Sequence, residues 1–322
     1  QIRRAQIIVT LLVCLALGYG GVTATHLRAY GQVKVGVVQP DIPQSLKWDP
    51  RLKGKIVERN IRLTRTLTAQ KPEIIIWPET SLPGILWESP ALFEEIKKTA
   101  RDMRTPILMG TIIQEGEEKY YNSAVLVSAD GEMTGRYDKI HLVPFGEYLP
   151  LRPVLGFINR FIGMGDFTSG REYTLFPAGC EQKKFGVLIC FEDTLPYLRR
   201  GFTNAGAQFL VNITNDAWFE DTKAPFLHLQ ASVFGAVENK RALVRAANTG
   251  VSAFIDPFGR IIQTVQSERG KKTFVIGTAV AALPLVNRRT VYTKYGDVFT
   301  MFCFLGILGA ILHLKASHRT RA

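Results

Sequence analysis

Hydrophobic positions divide the chain into three zones. Ile7 to Val22 is apolar apart from Thr10, and Gly, Ala and Thr extend the run to Thr25. Val298 to Leu314 forms a second apolar run. Each is close to the roughly 17–25 residues that a bilayer-crossing helix needs, and the second lacks the polar stripe of a surface helix. A signal peptide is the competing reading of the first run, since it too begins with basic residues. The chain opens on Gln rather than Met, which suggests a piece of a longer chain and favours a span. Arg3 and Arg4 precede the first run, and Lys315, Arg319 and Arg321 follow the second. The positive-inside tendency places both flanks in the cytoplasm and the intervening domain outside it; Arg28 is a weak counter-signal. The expected organisation is a span over 1–31, a catalytic domain over 32–297 and a second span over 298–322, with the domain on the periplasmic side of a bacterial inner membrane.

Between the two runs the pattern changes period repeatedly. Val33 to Gln39, Glu73 to Trp77, Pro106 to Ile113, Phe185 to Ile189, Phe209 to Ile213, Val251 to Ile255 and Phe274 to Val280 read as strands. Ala124 to Val127 and Met133 to Tyr137 flank a turn signal at Ala129-Asp130-Gly131, and Asp256 to Gly259 marks another hairpin. Lys55 to Leu67, Leu92 to Met103 and Pro225 to Ala246 read as helices, and Thr194 with Pro196 looks like a helix start. Helices alternate with strands and hairpins intervene, so an α/β domain with mixed sheets is expected. Residues 154–165, apolar with Gly breaks, suit either a flap that dips into lipid or a loop packed on the domain.

Charge narrows the partners. The chain carries 40 basic and 28 acidic residues, net +12. The two ends hold six of the basic residues and none of the acidic ones, so the middle keeps an excess of six. That excess is spread out and has no basic block with interleaved aromatics, which argues against nucleic acid and suits a mildly basic domain at anionic headgroups. The cysteines Cys14, Cys180, Cys190 and Cys303 show no zinc spacing, so neither metal nor cofactor is expected. Cys180 and Cys190 could pair in an oxidising compartment, which spacing alone does not establish, and Cys180 reads better as a small buried residue than as a catalytic one.

Three strand ends carry candidate chemistry. Glu79 follows Trp77-Pro78, Lys139 follows a hairpin strand, and Cys190 ends the run Phe185 to Ile189 just before Glu192 and Asp193. A thiol at a strand-to-helix corner near the positive end of a helix dipole is expected to have a lowered pKa. Acyl transfer through a thiol needs a base, a nucleophile and a cation for the oxyanion, and Glu79, Cys190 and Lys139 are of those types. Desolvation would raise the Glu79 pKa and Lys139 would oppose that rise. Each residue alone has a plainer reading, as a solvated loop charge or an inert buried thiol.

The Glu-Lys-Cys order at strand ends resembles the nitrilase, or carbon–nitrogen hydrolase, superfamily over about residues 33–290. The resemblance implies a nitrilase-like four-layer α-β-β-α sandwich, here flanked by two transmembrane helices, with the three residues at the sheet edges. The stretches Ile42 to Trp48, Tyr137 to Tyr148 and Asn215 to Phe219, set between two spans, are similar to the apolipoprotein N-acyltransferase family. Its members carry further spans upstream, so the chain resembles their C-terminal part. The resemblance implies Glu79 as general base, Lys139 as oxyanion residue and Cys190 as nucleophile. It also implies Glu147 as a second essential carboxylate, Glu192 as support for the site, Asn122 as a neighbour of it, and Trp48 and Trp218 as loop tryptophans that handle lipid or substrate. Trp48 and Trp218 could equally be ordinary core or rim aromatics, and His141 reads as structural. Phe191 stands where many members have Tyr, which keeps the aromatic surface and loses a hydroxyl.

The reaction implied has two halves. Cys190 takes an acyl chain from a membrane phospholipid as a thioester, and the α-amine of a diacylglyceryl-cysteine at an apolipoprotein N-terminus then takes it as an amide. The expected partners are therefore a phospholipid donor, an apolipoprotein acceptor and the bilayer, around a monomer. A membrane-tethered amidase or nitrilase acting on a small amide, and a catalytically silent lipid-binding domain, are the alternatives.

Overall fold

The computed structural model describes residues 2–26, 28–150, 167–179 and 183–319. The 154–165 stretch and Cys180 lie outside them. Two six-stranded sheets form the domain. In the first the order is β12 (Gly277–Leu285), β1 (Gly31–Gln39), β2 (Ile74–Ile76), β3 (Ile107–Glu115), β4 (Lys119–Val127), β5 (Met133–Asp138). In the second it is β11 (Ile261–Thr264), β10 (Ala253–Ile255), β9 (Ala242–Ala247), β8 (Phe209–Thr214), β7 (Lys183–Ile189), β6 (Leu175–Ala178). Strands β1, β2 and β3 run parallel, as do β7, β8 and β9, and the flanking strands are antiparallel.

Strand alternation decides the layers. Val33, Val35, Val37, Ile74, Ile76, Leu108, Ala124 and Leu126 join one core with Val187, Phe185, Phe209, Val211 and Val244 of the second sheet. The residues between them, Val38, Ile75, Trp77, Ile107, Met109 and Val125, turn the other way. They pack on Val57 and Ile61 of α3 (Lys53–Arg65) and on Phe93, Ile96 and Ala100 of α4 (Pro90–Met103). On the far side, Leu198 and Phe202 of α5 (Pro196–Ala205) and Leu229 and Ala236 of α6 (Ala224–Asn239) cover the second sheet. Strands buried on both faces read as continuous apolar runs, which is why β2 and β8 stand out in the sequence. The layers are thus helix, sheet, sheet, helix.

Three expectations change. The helix foreseen to Ala246 ends at Asn239; Lys240 adopts φ +49 and Ala242–Ala247 becomes β9. A left-handed residue closes α6 without the glycine that usually signals such an end, and the Ala- and Leu-rich run that follows suits a helix as well as a buried strand. Thr194 does not cap a helix: it closes a 3-10 turn over Cys190–Thr194, its hydroxyl donates to the Phe191 carbonyl at 2.8 Å, and Pro196 opens α5. The last strand of the first sheet starts at Gly277 and runs to Leu285, paired along its length with β1, rather than ending at Val280.

Helical backbone spans Ile2–His26 (α1) and, after the short α7 (Val291–Tyr295), Val298–Arg319 (α8). Leu15, Leu17, Phe299 and Phe302 on these helices are exposed. Over the described residues, no helix is long and apolar enough to cross a membrane.

Candidate active site

Cys190 follows the last residue of β7 directly and takes φ +53, a left-handed conformation that costs a non-glycine residue about 1–3 kcal/mol. The turn is held from three sides. Asn212 Nδ2 donates to the Cys190 carbonyl at 3.1 Å, and His228 Nε2 lies 3.2 Å from the same oxygen. Glu192, fully buried, accepts from the backbone N–H groups of Ile189 (2.8 Å), Ile140 (2.7 Å) and His141 (2.9 Å) and from the Tyr137 hydroxyl (2.9 Å). Burial pushes the Glu192 carboxyl up to about 7, against the pull of these donors. Glu192 therefore ties the Cys190 turn on the second sheet to the Lys139 segment on the first.

Glu79 comes three residues beyond β2, and Thr80 after it has φ +49. Gly110 on β3 permits this: a Cβ there would lie 2.5 Å from the Thr80 nitrogen and 2.7 Å from Glu79 Cα. Glu79 Oε1 accepts from Asn122 Nδ2 at 2.8 Å, and Oε2 accepts from the Asn215 N–H at 2.9 Å. The same Asn122 nitrogen donates to Glu147 Oε1 at 2.8 Å. Lys139, one residue past β5, is buried and pairs with both Glu147 oxygens at 2.8–2.9 Å, and Glu147 Oε2 also accepts from the Val143 N–H. Burial alone would lower the Lys139 pKa, but Glu147, Glu79 and Cys190 raise it above its ordinary value, so the ammonium is retained.

The thiol does not behave as its position at a strand end suggested. Burial and the nearby Glu79 carboxylate push Cys190 up to about 12, with Lys139 working the other way. Helix α5 begins only at Pro196, beyond the intervening 3-10 turn, so burial outweighs its dipole. The resting thiol is therefore neutral, and it becomes a nucleophile only when a base takes its proton. Cys190 is a free thiol.

The structure thus brings Glu79, Lys139, Cys190, Asn122, Glu147 and Glu192 together. It adds residues that sequence reasoning passed over. Lys47 is buried and donates from Nζ to the Glu79 carbonyl at 2.8 Å. Beneath the nucleophile, Arg245 reaches Asn212 Oδ1 at 2.7 Å and Asp216 Oδ2 at 2.8 Å, and His228 Nδ1 lies 3.0 Å from Asp216 Oδ1. Burial would raise the Asp216 carboxyl, but Arg245 and His228 hold it well below the usual range. Lys47, Asn215 and Asp216 sit inside motifs that could have flagged them; Arg245 was hidden in a stretch read as helix.

Trp48, Phe191 and Trp218 are outside the buried cluster and outside the core: Trp48 is 48 %, Phe191 42 % and Trp218 65 % exposed. Leu46 and Phe219 are exposed beside them in the chain, and Phe145 is exposed two residues before Glu147. His141 meets the Tyr197 hydroxyl through Nδ1 at 3.0 Å. Among the described residues no group of three or more His, Cys, Asp or Glu side chains could hold a metal ion.

A neutral thiol beside a carboxylate and a retained ammonium, at the mouth of two facing sheets, can add to a carbonyl and hold the oxyanion. Residues 34–291 match the carbon-nitrogen hydrolase family, and the chain belongs to it. Within that class it is similar to apolipoprotein N-acyltransferases: 39 % identical over 307 residues to that of Geobacter metallireducens and 35 % over 333 residues to that of Brucella melitensis, which covers 93 % and 97 % of this chain. The chain spans 57 % and 60 % of the length of those two relatives. Among solved structures, an amidase of the nitrilase superfamily from Nesterenkonia AN1 (TM-score 0.59, 17 % identity, 80 % of this chain and 93 % of that one) has the same fold. So does Nit3 of Saccharomyces cerevisiae (TM-score 0.60, 17 % identity, 80 % and 91 %).

Proposed function

We propose that this protein transfers an acyl chain from a membrane phospholipid, through a thioester on Cys190, to the α-amine of a diacylglyceryl-cysteine at the N-terminus of an apolipoprotein. The observation that carries this reading is the apolar rim. Four of the segments around the buried polar cluster also expose a large apolar side chain: Leu46 and Trp48 flank Lys47, Phe145 precedes Glu147, Phe191 follows Cys190, and Trp218 and Phe219 follow Asn215. A soluble amidase needs no such rim, whereas aromatic side chains are at home where headgroups meet acyl chains. A cavity of about 480 Å³ lined by Ile140, His141, Leu142, Tyr148, Phe167 and Ser169 begins one residue past Lys139 and offers room for part of an acyl chain.

Glu79 takes the Cys190 proton and the thiolate adds to the ester carbonyl carbon, with Lys139 beside the developing oxyanion. The ester C–O bond breaks, the lysophospholipid oxygen takes the proton from Glu79, and the thioester remains. The acceptor amine then adds to the thioester, Glu79 receives the amine proton, the C–S bond breaks, and the returning proton restores the thiol. On this reading the apolar runs of the sequence, Ile7 to Val22 and Val298 to Leu314, hold the domain at a membrane with their basic flanks in the cytoplasm, and the site faces the outer, periplasmic surface where both lipid substrates lie.

The test is intact mass of the full-length protein after incubation with phosphatidylethanolamine, with and without hydroxylamine. A hydroxylamine-sensitive acyl adduct on Cys190 is expected. No adduct, with turnover of a small amide, would replace acyl transfer by tethered amide hydrolysis; neither activity in folded protein would leave lipid binding alone.

A further inference from the structure

Lys47 ends the short helix α2 (Gln44–Lys47), next to the exposed Trp48, yet its own side chain is 2 % exposed. Among the described residues its one hydrogen bond runs from Nζ to the Glu79 carbonyl, and no carboxylate pairs with it. An ammonium has three N–H donors, and the Glu79 carbonyl takes one of them. Burying such a group without a partner is costly unless nearby negative charge demands it. Glu79, beyond β2, and Cys190, beyond β7, are the ionisable groups that act on it, and Lys139, beyond β5 and paired with Glu147, acts on the same two groups from the other side. With both lysines charged, Glu79 and Glu147 are balanced, while Glu192 is held by four donors of its own. Without Lys47 the cluster holds one negative charge in excess, and moving the thiol proton to Glu79 would leave a thiolate and Glu147 facing a single cation.

We propose that Lys47 is a positioning residue for thioester formation: it fixes the strained Glu79–Thr80 turn through the Glu79 carbonyl, and its ammonium supplies the charge that lets the Cys190 proton move to Glu79. The proposal rests on the reading of Cys190 as the acyl-accepting nucleophile. Burial lowers the Lys47 pKa to about 8, with Glu79 and Cys190 opposing. The group is protonated at neutral pH and loses its charge as pH rises through that value.

The experiment compares wild type, Lys47→Met and Lys47→Arg in the full-length protein by two readouts. The first is alkylation of Cys190 by iodoacetamide at pH 7, resolved by peptide mapping from the other cysteines. The second is single-turnover thioester formation from phosphatidylethanolamine across pH. Lys47→Met should slow both by about 10²-fold, the scale of losing one charged donor in a site that excludes water. Lys47→Arg should stay within about tenfold of wild type, because it keeps the charge. Wild-type thioester formation should fall above about pH 8, and Lys47→Arg should carry its plateau to higher pH. A folded Lys47→Met with wild-type rates overturns the proposal, as does the same alkaline limb in wild type and Lys47→Arg; the second comparison decides if Lys47→Met does not fold. If wild type forms no thioester, acyl transfer itself fails, and the alkylation rates still show whether Lys47 governs the thiol.

Discussion

The two halves of the domain wind alike and contribute differently. β1-α3-β2-α4-β3 and β7-α5-β8-α6-β9 each lay three parallel strands side by side and cover them with two helices. In the first half the carboxylate Glu79 follows the middle strand; in the second the thiol follows the first strand, and Asn215 and Asp216 follow the middle one. All these groups lie at the carboxyl ends of parallel strands, where open α/β sheets build their sites. Polar side chains are used differently too. In the second half Arg245, Asp216, His228 and Asn212 are spent on one another and on the Cys190 carbonyl. In the first half the polar side chains converge on Glu79: Asn122 donates to its carboxylate and Lys47 to its carbonyl. The second half thus braces the nucleophile's backbone through side chains that bond one another, while the first half aims its carboxylates and ammoniums at the thiol.

The sharpest way to break that division is at the nucleophile. Cys190→Ala should abolish the hydroxylamine-sensitive adduct while leaving thermal unfolding close to wild type, since it also relieves no buried charge. Glu79→Gln should slow thioester formation by about 10²–10⁴-fold, the range for a lost general base, with an amide that can still accept from Asn122 or Asn215. Arg245→Met is the opposite case. It leaves Asp216 and Asp193 buried without their shared guanidinium, at 2.8 Å and 3.6 Å, and should cost about 3–5 kcal/mol of stability in denaturant unfolding. The pH dependence follows from Asp216, whose carboxyl is held below its usual range in the folded protein. Its stabilising contribution is full above the unfolded carboxylate pKa of about 3.9 and is lost as pH falls toward the folded value. Arg245→Met should therefore move the acid-unfolding midpoint upward.

Much of this was legible before the structure, and the exceptions are instructive. Buried parallel strands announce themselves as β-branched runs, so β1, β2, β7 and β8 and the residues at their ends were found from the pattern, and resemblance tied Glu79, Lys139 and Cys190 together. The repeat of the winding was not visible, because its last strand, Ala242–Ala247, follows α6 after only Lys240 and Arg241 and carries residues that helices also favour. Arg245 disappeared with it: an arginine in a helical stretch reads as a surface charge, and only the strand turns it inward. The thiol pKa was misjudged because it depends on burial by both sheets, which no local motif reports. Lys47 was missed for a similar reason, since a lysine beside an exposed tryptophan looks solvated until Glu79 closes over it.

A smaller effect probes the close approach in the first half. Gly110→Ala places a methyl group 2.5–2.9 Å from the Glu79–Thr80 backbone, and backbone cannot swing aside as a flexible side chain can. A destabilisation of about 1–3 kcal/mol is expected, with a loss of thioester formation beyond what the fraction unfolded explains, because the shift displaces the Glu79 carboxylate.

The smallest change separates rim from site. Trp218 is 65 % exposed and follows Asn215 and Asp216 by only a few residues. Trp218→Ala should alter unfolding by no more than about 0.5 kcal/mol, as for most surface substitutions. If the indole seats the domain on lipid, thioester formation from phospholipid vesicles should fall about tenfold, equivalent to about 1.4 kcal/mol. Alkylation of Cys190 by a small water-soluble reagent should not change, since that reagent never meets the bilayer. An equal fall in both rates would mean that the indole shapes the thiol's surroundings, and the rim would then belong with the polar cluster it surrounds; unchanged rates in both would take Trp218 out of lipid handling altogether.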